Sequence, residues 1–263
     1  TTGTSRWLNF YVEGMRWLVE NEHIDGLYLD DIAFDGATTE RIRKVLLRGN
    51  PGGLIDVHSA NQYNPRDGFA SSANLYLEQF PFIDRLWFGE YFDYNSPPDY
   101  WLIEMSGIPY GLMGEMLQGG GNPWRGMVYG MTTRAPWSGD PRPLWTFWDA
   151  YQIENTRMIG YWVPSSPVKT KRKGVLATTY LGKGRALVAL ASWDNQQTDV
   201  KLAIDWKALG LNPRDATVYA PKIENFQDER TFAANEAIPV QPGKGWLLVI
   251  EKKGATAAGL PHK

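Results

Sequence analysis

Acidic and polar side chains follow three short apolar segments of the chain, residues 24–30, 54–58 and 84–90. The candidates at these ends, and at two later ones, are Asp30, Asp31, His58, Asn61, Glu90, Asp93, Glu115 and Arg134. Glycoside hydrolysis needs one carboxylate to attack or stabilise the anomeric carbon and another to protonate the leaving oxygen. Carboxylates at the ends of neighbouring or next-neighbouring strands suit that chemistry.

Metal binding is the rival chemistry for Asp30, Asp31 and Asp35. Their spacing, D-D-x-x-x-D, lacks the regular alternation and closing Glu of a calcium-binding EF-hand loop. A single Asp after a strand is also typical of a helix cap. The chain has no Cys and only three His, and no Gly-rich phosphate loop follows a strand. We therefore expect neither a metal site nor a cofactor.

Other side chains near these ends suit sugar binding. His58 and Asn61 can hydrogen-bond sugar hydroxyls, although a lone His is often structural. Arg134 can pair with a substrate carboxylate or orient a catalytic acid. The chain is rich in aromatic residues, with 12 Trp, 13 Tyr and 10 Phe, whose flat faces pack against sugar rings or fill a core. The candidates for a sugar platform are Tyr63, Trp87, Tyr91, Trp124 and Trp137.

The elements that must position these residues alternate between strand and helix. Apolar spacing predicts helices over residues 7–21 and 39–48. We predict further helices over residues 98–105 and 144–161, and strands over residues 24–30, 54–58, 84–90, 108–113 and 127–133. Short connections between alternating elements indicate a parallel sheet with right-handed crossovers.

The chain is too short to hold a complete barrel together with its β-rich second part. An eight-stranded α/β barrel takes about 250 residues, whereas residues 1–162 form the only α/β portion. The predicted fold is therefore α/β, a partial (β/α)8 barrel with the later strands only, followed by an antiparallel β-sandwich over residues 168–253. Residues 254–263 are predicted to be a disordered tail. The sheet should have an unpaired edge before Asp25, unless an N-terminal barrel half in the same or another chain covers it.

Charge excludes one class of partner. The 27 Lys and Arg against 29 Asp and Glu give a net charge of -2, so nucleic acid is not an expected partner. No apolar stretch approaches the roughly 20 residues that span a bilayer. We expect an oligosaccharide or polysaccharide substrate in an extracellular or periplasmic setting.

Two motifs resemble retaining barrel glycosidases. The segment IDGLYLDDIAFD, residues 24–35, is similar to the fourth strand of glycoside hydrolase families 27, 31 and 36 and of bacterial relatives without assigned activity. The segment DRLWFGEYFD, residues 84–93, resembles the later acid-bearing strand of those bacterial relatives. The trailing sandwich resembles the small β domain that follows such barrels.

The resemblance implies a retaining glycosidase with an α-galactoside-like substrate. It makes Asp30 the nucleophile and Glu90 the acid/base, with Asp93 in reserve. A second hypothesis is a substrate-assisted N-acetylhexosaminidase, in which Asp30 and Asp31 polarise the acetamide of the substrate. A third is a carbohydrate-binding protein without catalysis.

Overall fold

The computed structural model describes residues 5–30, 34–58, 72–87, 93–115, 121–132 and 140–255. The chain divides into two units, Thr1–Gly119 and Gly120–Lys263.

A parallel sheet lies at the centre of the first unit. Among the described residues it has four strands in the order β1-β2-β3-β4, which are β1 (Gly26–Asp30), β2 (Leu54–His58), β3 (Arg85–Trp87) and β4 (Met113–Gly114). All neighbouring strands pair in parallel. β1 lies at one edge of this described sheet. The first three predicted strands are confirmed, and their succession along the sheet is that of a barrel segment.

Two helices pack together in this unit, α1 (Arg6–Asn21) and α2 (Gly36–Gly49). Ser5 caps α1 by accepting the Leu8 N–H, and Asp35 caps α2 by accepting the Thr38 N–H. Both helices bury an apolar stripe, but the stripe of α1 is not the predicted one. The sequence spacing predicts a buried stripe of Trp7, Phe10, Tyr11, Gly14, Trp17 and Leu18, which is wrong, because Trp7, Phe10, Trp17 and Leu18 are exposed. The core side chains of α1 are Leu8, Val12, Met15 and Val19. Those of the sheet are Leu29, Ile55, Val57 and Leu86.

The described parts of the connections between the later strands are mostly helical. A 3₁₀ segment covers Ser72–Phe82, and α3 (Pro98–Tyr100) continues into a π-helical turn over Trp101–Met105. The predicted strand over residues 108–113 is wrong, because Ile108–Tyr110 form a 3₁₀ turn. Gly107 and Gly111 flank that turn with left-handed backbones, each at φ 73°, a conformation that no strand contains. Only the last of these residues enters β4.

The second unit begins with helices rather than with a fifth strand. Asn122 caps α4 (Pro123–Val128), where residues 127–133 were predicted to be extended. Pro123 at the first helical position has a φ already suited to a helix. α5 (Arg142–Tyr151) ends ten residues earlier than predicted, because Gln152 takes a left-handed conformation at φ 59°.

Antiparallel sheets make up the rest of this unit. The six-stranded sheet has the order β12-β11-β14-β8-β7-β5, and two strand pairs, β10-β6 and β13-β9, accompany it. Their bounds are β5 (Arg157–Ile159), β6 (Val168–Thr170), β7 (Val175–Gly182), β8 (Arg185–Ser192), β9 (Thr198–Val200), β10 (Leu202–Ile204), β11 (Ala216–Ala220), β12 (Arg230–Phe232), β13 (Ile238–Val240) and β14 (Gly245–Lys252). The predicted β-sandwich is confirmed.

The two faces of the six-stranded sheet bury different partners. One face joins a shared apolar core that includes Val188, Val218 and Ile250 together with Val200 and Val240 of the paired strands. On β7, the Tyr180 hydroxyl donates to the Met127 carbonyl and the Thr178 hydroxyl donates to the Val128 carbonyl, so the sheet holds the end of α4.

The predicted boundary between residues 162 and 168 stays a prediction, and β5, which precedes it, already pairs with β7. The predicted tail lies, from residue 256 onward, outside the described residues. No helix in the described ranges is long and apolar enough to cross a bilayer.

Candidate active site

Four candidate residues lie at one level across the carboxyl end of the parallel sheet. The strand register pairs Asp30 with His58, and His58 with Trp87. Glu115 directly follows Gly114, the partner of Leu86, so it continues the same row. Parallel strands of one sheet therefore bring together residues that are 28 or more positions apart in the chain. The carboxyl end of such strands is where barrel enzymes hold their active sites.

A second row lies one level lower on the same face of the sheet. Side chains two residues apart on a strand point to the same side, so Tyr28, Asp56 and Arg85 share a face with the row above. The register pairs Tyr28 with Asp56 and Asp56 with Arg85. The residues between them, such as Leu29 and Val57, are buried on the opposite face.

The Asp30 carboxylate is fixed through one of its oxygens. Nδ1 of His58 lies 2.8 Å from Oδ1, and the Tyr28 hydroxyl donates to the same oxygen at 3.3 Å. No hydrogen bond from the described residues reaches Oδ2. The His58 side chain is 14% exposed, whereas that of Asp30 is 60% exposed. One oxygen is therefore held while the other is open to an incoming group, as a nucleophile or a hydrogen-bond acceptor for substrate requires.

Arg85 lies between two carboxylates of the neighbouring strands. Its Nε and Nη2 donate to Oδ2 of Asp56 at 2.9 and 2.6 Å, and its Nη1 lies 3.8 Å from Oε2 of Glu115. Burial lowers the pKa of Arg85, but the hydrogen bond and charge of Asp56 and the charge of Glu115 outweigh burial and raise that pKa. The guanidinium is therefore a permanent positive charge beneath the row of candidates.

Other candidates have local contacts. Asp93 is exposed and accepts the Asn95 N–H at 2.9 Å, which makes it a turn residue in this structure. Trp124 stacks on Phe226 within the second unit, with ring centroids 4.9 Å apart. Asp35, from the acidic spacing considered for a metal, caps α2. Within the described residues no three acidic or His side chains are grouped as metal ligands.

The remaining candidates lie outside the described residues. They are Asp31, Asn61, Tyr63, Glu90, Tyr91, Arg134 and Trp137. For Trp87 the structure gives the backbone position at the end of β3.

Sequence reasoning missed Tyr28, Asp56 and Arg85 because it considered only the strand ends. The pattern that finds them is the period of two along each strand. Each of the three residues lies two positions before a residue of the upper row, and polar side chains inside otherwise apolar strands mark a functional or structural face.

Comparison with known proteins identifies the family. The TIM-barrel domain of glycoside hydrolase 123 matches residues 1–136, and the C-terminal domain of glycoside hydrolase 123 matches residues 140–251. The chain belongs to glycoside hydrolase family 123. This membership differs from families 27, 31 and 36, which its motifs resemble. No curated protein matches the chain.

Solved structures with the same fold include members of other glycosidase families. A GH27 β-L-arabinopyranosidase from Geobacillus stearothermophilus has a TM-score of 0.54 and 13% identity, over 95% of this chain and 62% of its own. A noncanonic maltogenic α-amylase, AmyB, from Thermotoga neapolitana has a TM-score of 0.54 and 12% identity, over 94% and 66%.

These likenesses establish the fold of this family 123 chain. The predicted α/β partial barrel with a C-terminal antiparallel β domain is confirmed. The chain spans slightly less than two thirds of the length of the solved proteins named here.

Proposed function

We propose that this family 123 protein is a glycoside hydrolase in which Asp30 is one of two catalytic carboxylates. The observation that carries the proposal is the fixed, open carboxylate at the end of β1. His58 and Tyr28 hold Oδ1, and the described residues leave Oδ2 free to meet a sugar. A carboxylate oriented in advance avoids reorganisation during the reaction.

In the preferred mechanism Glu90 is the partner of Asp30. Oδ2 of Asp30 attacks the anomeric carbon while the glycosidic C–O bond breaks and Glu90 donates its proton to the leaving oxygen. Glu90 then removes a proton from water, which attacks the same carbon and releases Asp30. In the sequence Glu90 comes three residues after β3, the next-neighbour strand of β1. A retaining pair needs about 5 to 5.5 Å between its two carboxyl groups.

A second mechanism remains open because Asp31 directly follows Asp30. In substrate-assisted hydrolysis the acetamide oxygen of an N-acetylhexosaminide attacks its own anomeric carbon, and protein carboxylates orient that acetamide. With Oδ1 of Asp30 held by His58 and Tyr28, Oδ2 can accept a hydrogen bond from the acetamide N–H. The α-galactoside-like substrate and the N-acetylhexosaminide are therefore the two substrate classes to compare, with an extracellular or periplasmic glycan as their source.

We further propose that other barrel strands, from the same or another chain, cover the open face of the sheet. Leu54 and Met113 are large apolar side chains on that face, 61% and 52% exposed. Tyr28 is also exposed there. Closure of a barrel buries such residues between strands.

Aryl glycosides test the function of the purified protein. We expect the protein to release nitrophenol from nitrophenyl α-galactosides with retention, which NMR of the first-formed anomer measures. We expect Asp30→Asn to lower kcat at least 1000-fold. Asp25→Asn, at the opposite end of β1, is the matched control and should retain activity.

The other outcomes separate the hypotheses. Hydrolysis confined to N-acetylhexosaminides, with inhibition by a thiazoline, would replace the preferred mechanism by the substrate-assisted one. Saturable oligosaccharide binding without turnover over a wide panel would make the protein a carbohydrate-binding module. Full activity of a folded Asp30→Asn protein would refute the role of Asp30 in every catalytic version.

A further inference from the structure

Arg85 lies within ion-pair distance of carboxylates from both neighbouring strands. Asp56 on β2 takes two of its N–H groups, and Glu115 after β4 lies within ion-pair distance of a third nitrogen. The planar guanidinium has donors in three directions, so it can bridge two acids that a Lys ammonium could not hold in fixed geometry.

The two carboxylates differ in their position relative to the site. Asp56 lies in the lower row with Arg85, whereas Glu115 lies in the upper row with Asp30 and His58. The Glu115 side chain is only 6% exposed. A carboxylate so deeply buried stays ionised only where positive charge or hydrogen bonds compensate its lost hydration. The Arg85 guanidinium is a fixed positive charge within 4 Å of it.

Arg43, a partly buried arginine of α2, shows what a purely structural role looks like in the same unit. Arg43 pairs with Asp84 at the amino end of the strands and donates to the Phe82 and Gly53 carbonyls at 2.8 and 2.9 Å. Its contacts tie connections together, away from the carboxyl end. Arg85 instead pairs with carboxylates and lies directly beneath the candidate site.

We propose that Arg85 is a positioning residue that keeps Glu115 ionised and oriented to accept hydroxyl groups of the sugar. The proposal rests on the proposed function, since it requires a sugar in the site that contains Asp30. An ionised carboxylate has two oxygens and accepts two hydrogen bonds from a pair of neighbouring hydroxyls. Arg85 thus acts through Glu115 on substrate binding, separately from the proposed catalytic role of Asp30.

A double-mutant cycle tests the proposal in the purified protein. We expect Arg85→Met to raise KM for the best glycoside of the panel by at least 10-fold, with kcat within about 3-fold. Arg85→Lys should recover part of that loss, because a positive charge remains. In a Glu115→Gln background, Arg85→Met should change KM by less than 2-fold, since the group through which it acts is already neutral.

Arg43→Met is the matched control, since it also removes a partly buried arginine from an Asp partner. It should lower the unfolding temperature without changing KM. If Arg85→Met does not fold, Arg85→Lys in the wild-type and Glu115→Gln backgrounds supplies the same cycle.

The proposal fails if Arg85→Met raises KM equally with and without Glu115, or if it lowers kcat and leaves KM unchanged. Binding of a non-hydrolysed oligosaccharide, followed by calorimetry, distinguishes this failure from failure of the proposed function. A wild-type protein that binds the oligosaccharide without turnover would refute hydrolysis. The same double-mutant cycle, measured as changes in Kd, would then still test the role of Arg85. Absence of both binding and turnover would refute both proposals.

Discussion

Replacing His58 should lower activity far more than stability. His58→Leu removes the ring nitrogen that lies 2.8 Å from Oδ1 of Asp30. In the free protein the Asp30 side chain is 60% exposed, so solvent screens this pair and its loss should cost about 0 to 1 kcal/mol of stability. Bound sugar excludes that water, and a hydrogen bond to a charged group then contributes about 1.5 to 3 kcal/mol. This range corresponds to about 10- to 150-fold in kcat.

His58→Asn is the conservative partner of that variant, because its side-chain N–H can replace Nδ1. We expect His58→Asn to retain most of the activity that His58→Leu loses. Steady-state kinetics on the best aryl glycoside gives kcat, and thermal unfolding by circular dichroism gives stability. The reasoning would be refuted by a folded His58→Leu protein within 3-fold of wild-type kcat, or by equal losses in the two variants.

Three further predictions concern the rest of the chain. Gly107→Ala should cost about 1 to 3 kcal/mol by urea unfolding, because φ is 73° and the new Cβ would lie 2.9 Å from a carbonyl oxygen; an unchanged midpoint would contradict this. Tyr180→Phe should cost about 1 to 3 kcal/mol, since the buried Met127 carbonyl loses its donor; a neutral effect would contradict that contact. Arg142 holds the pKa of Asp140 at about 2, so Arg142→Gln should raise the carboxyl titration midpoint by NMR toward 3.8. The contribution of this pair to stability is thus present above about pH 4 and lost as the pH falls toward 2.

The strands that carry the site could be predicted because their sequence pattern and their packing agree. β1 and β2 each combine a short apolar run with a polar end, and the helices beside them bury apolar stripes of helical period. The row through Asp30 and His58 then follows from parallel pairing. The elements that were predicted wrongly have local backbone geometry that such patterns do not encode. Left-handed residues at Gly111 and Gln152 interrupt a segment predicted to be extended and a segment predicted to be helical.

Short strands escape such patterns. β5 lies within residues 144–161, which the sequence predicts to be helical, and β12 lies within the predicted sandwich. Each has three residues, too few for an alternating pattern to be seen. Their extended conformation comes from pairing with longer neighbours, β7 and β11. Tertiary pairing therefore decides these segments.

The open face of the parallel sheet determines how strongly the charged residues of the site act. Leu54 and Met113 leave large apolar areas exposed there, in the same face as the Asp56–Arg85 pair and Asp30. Barrel strands placed over this face would remove water from both rows, and charges interact more strongly where water is excluded. Substitutions at Arg85 and His58 should then cost more in a completed barrel than in the isolated sheet. Covering these apolar residues with the proposed strands would thus also strengthen the electrostatics on which the proposed catalysis depends.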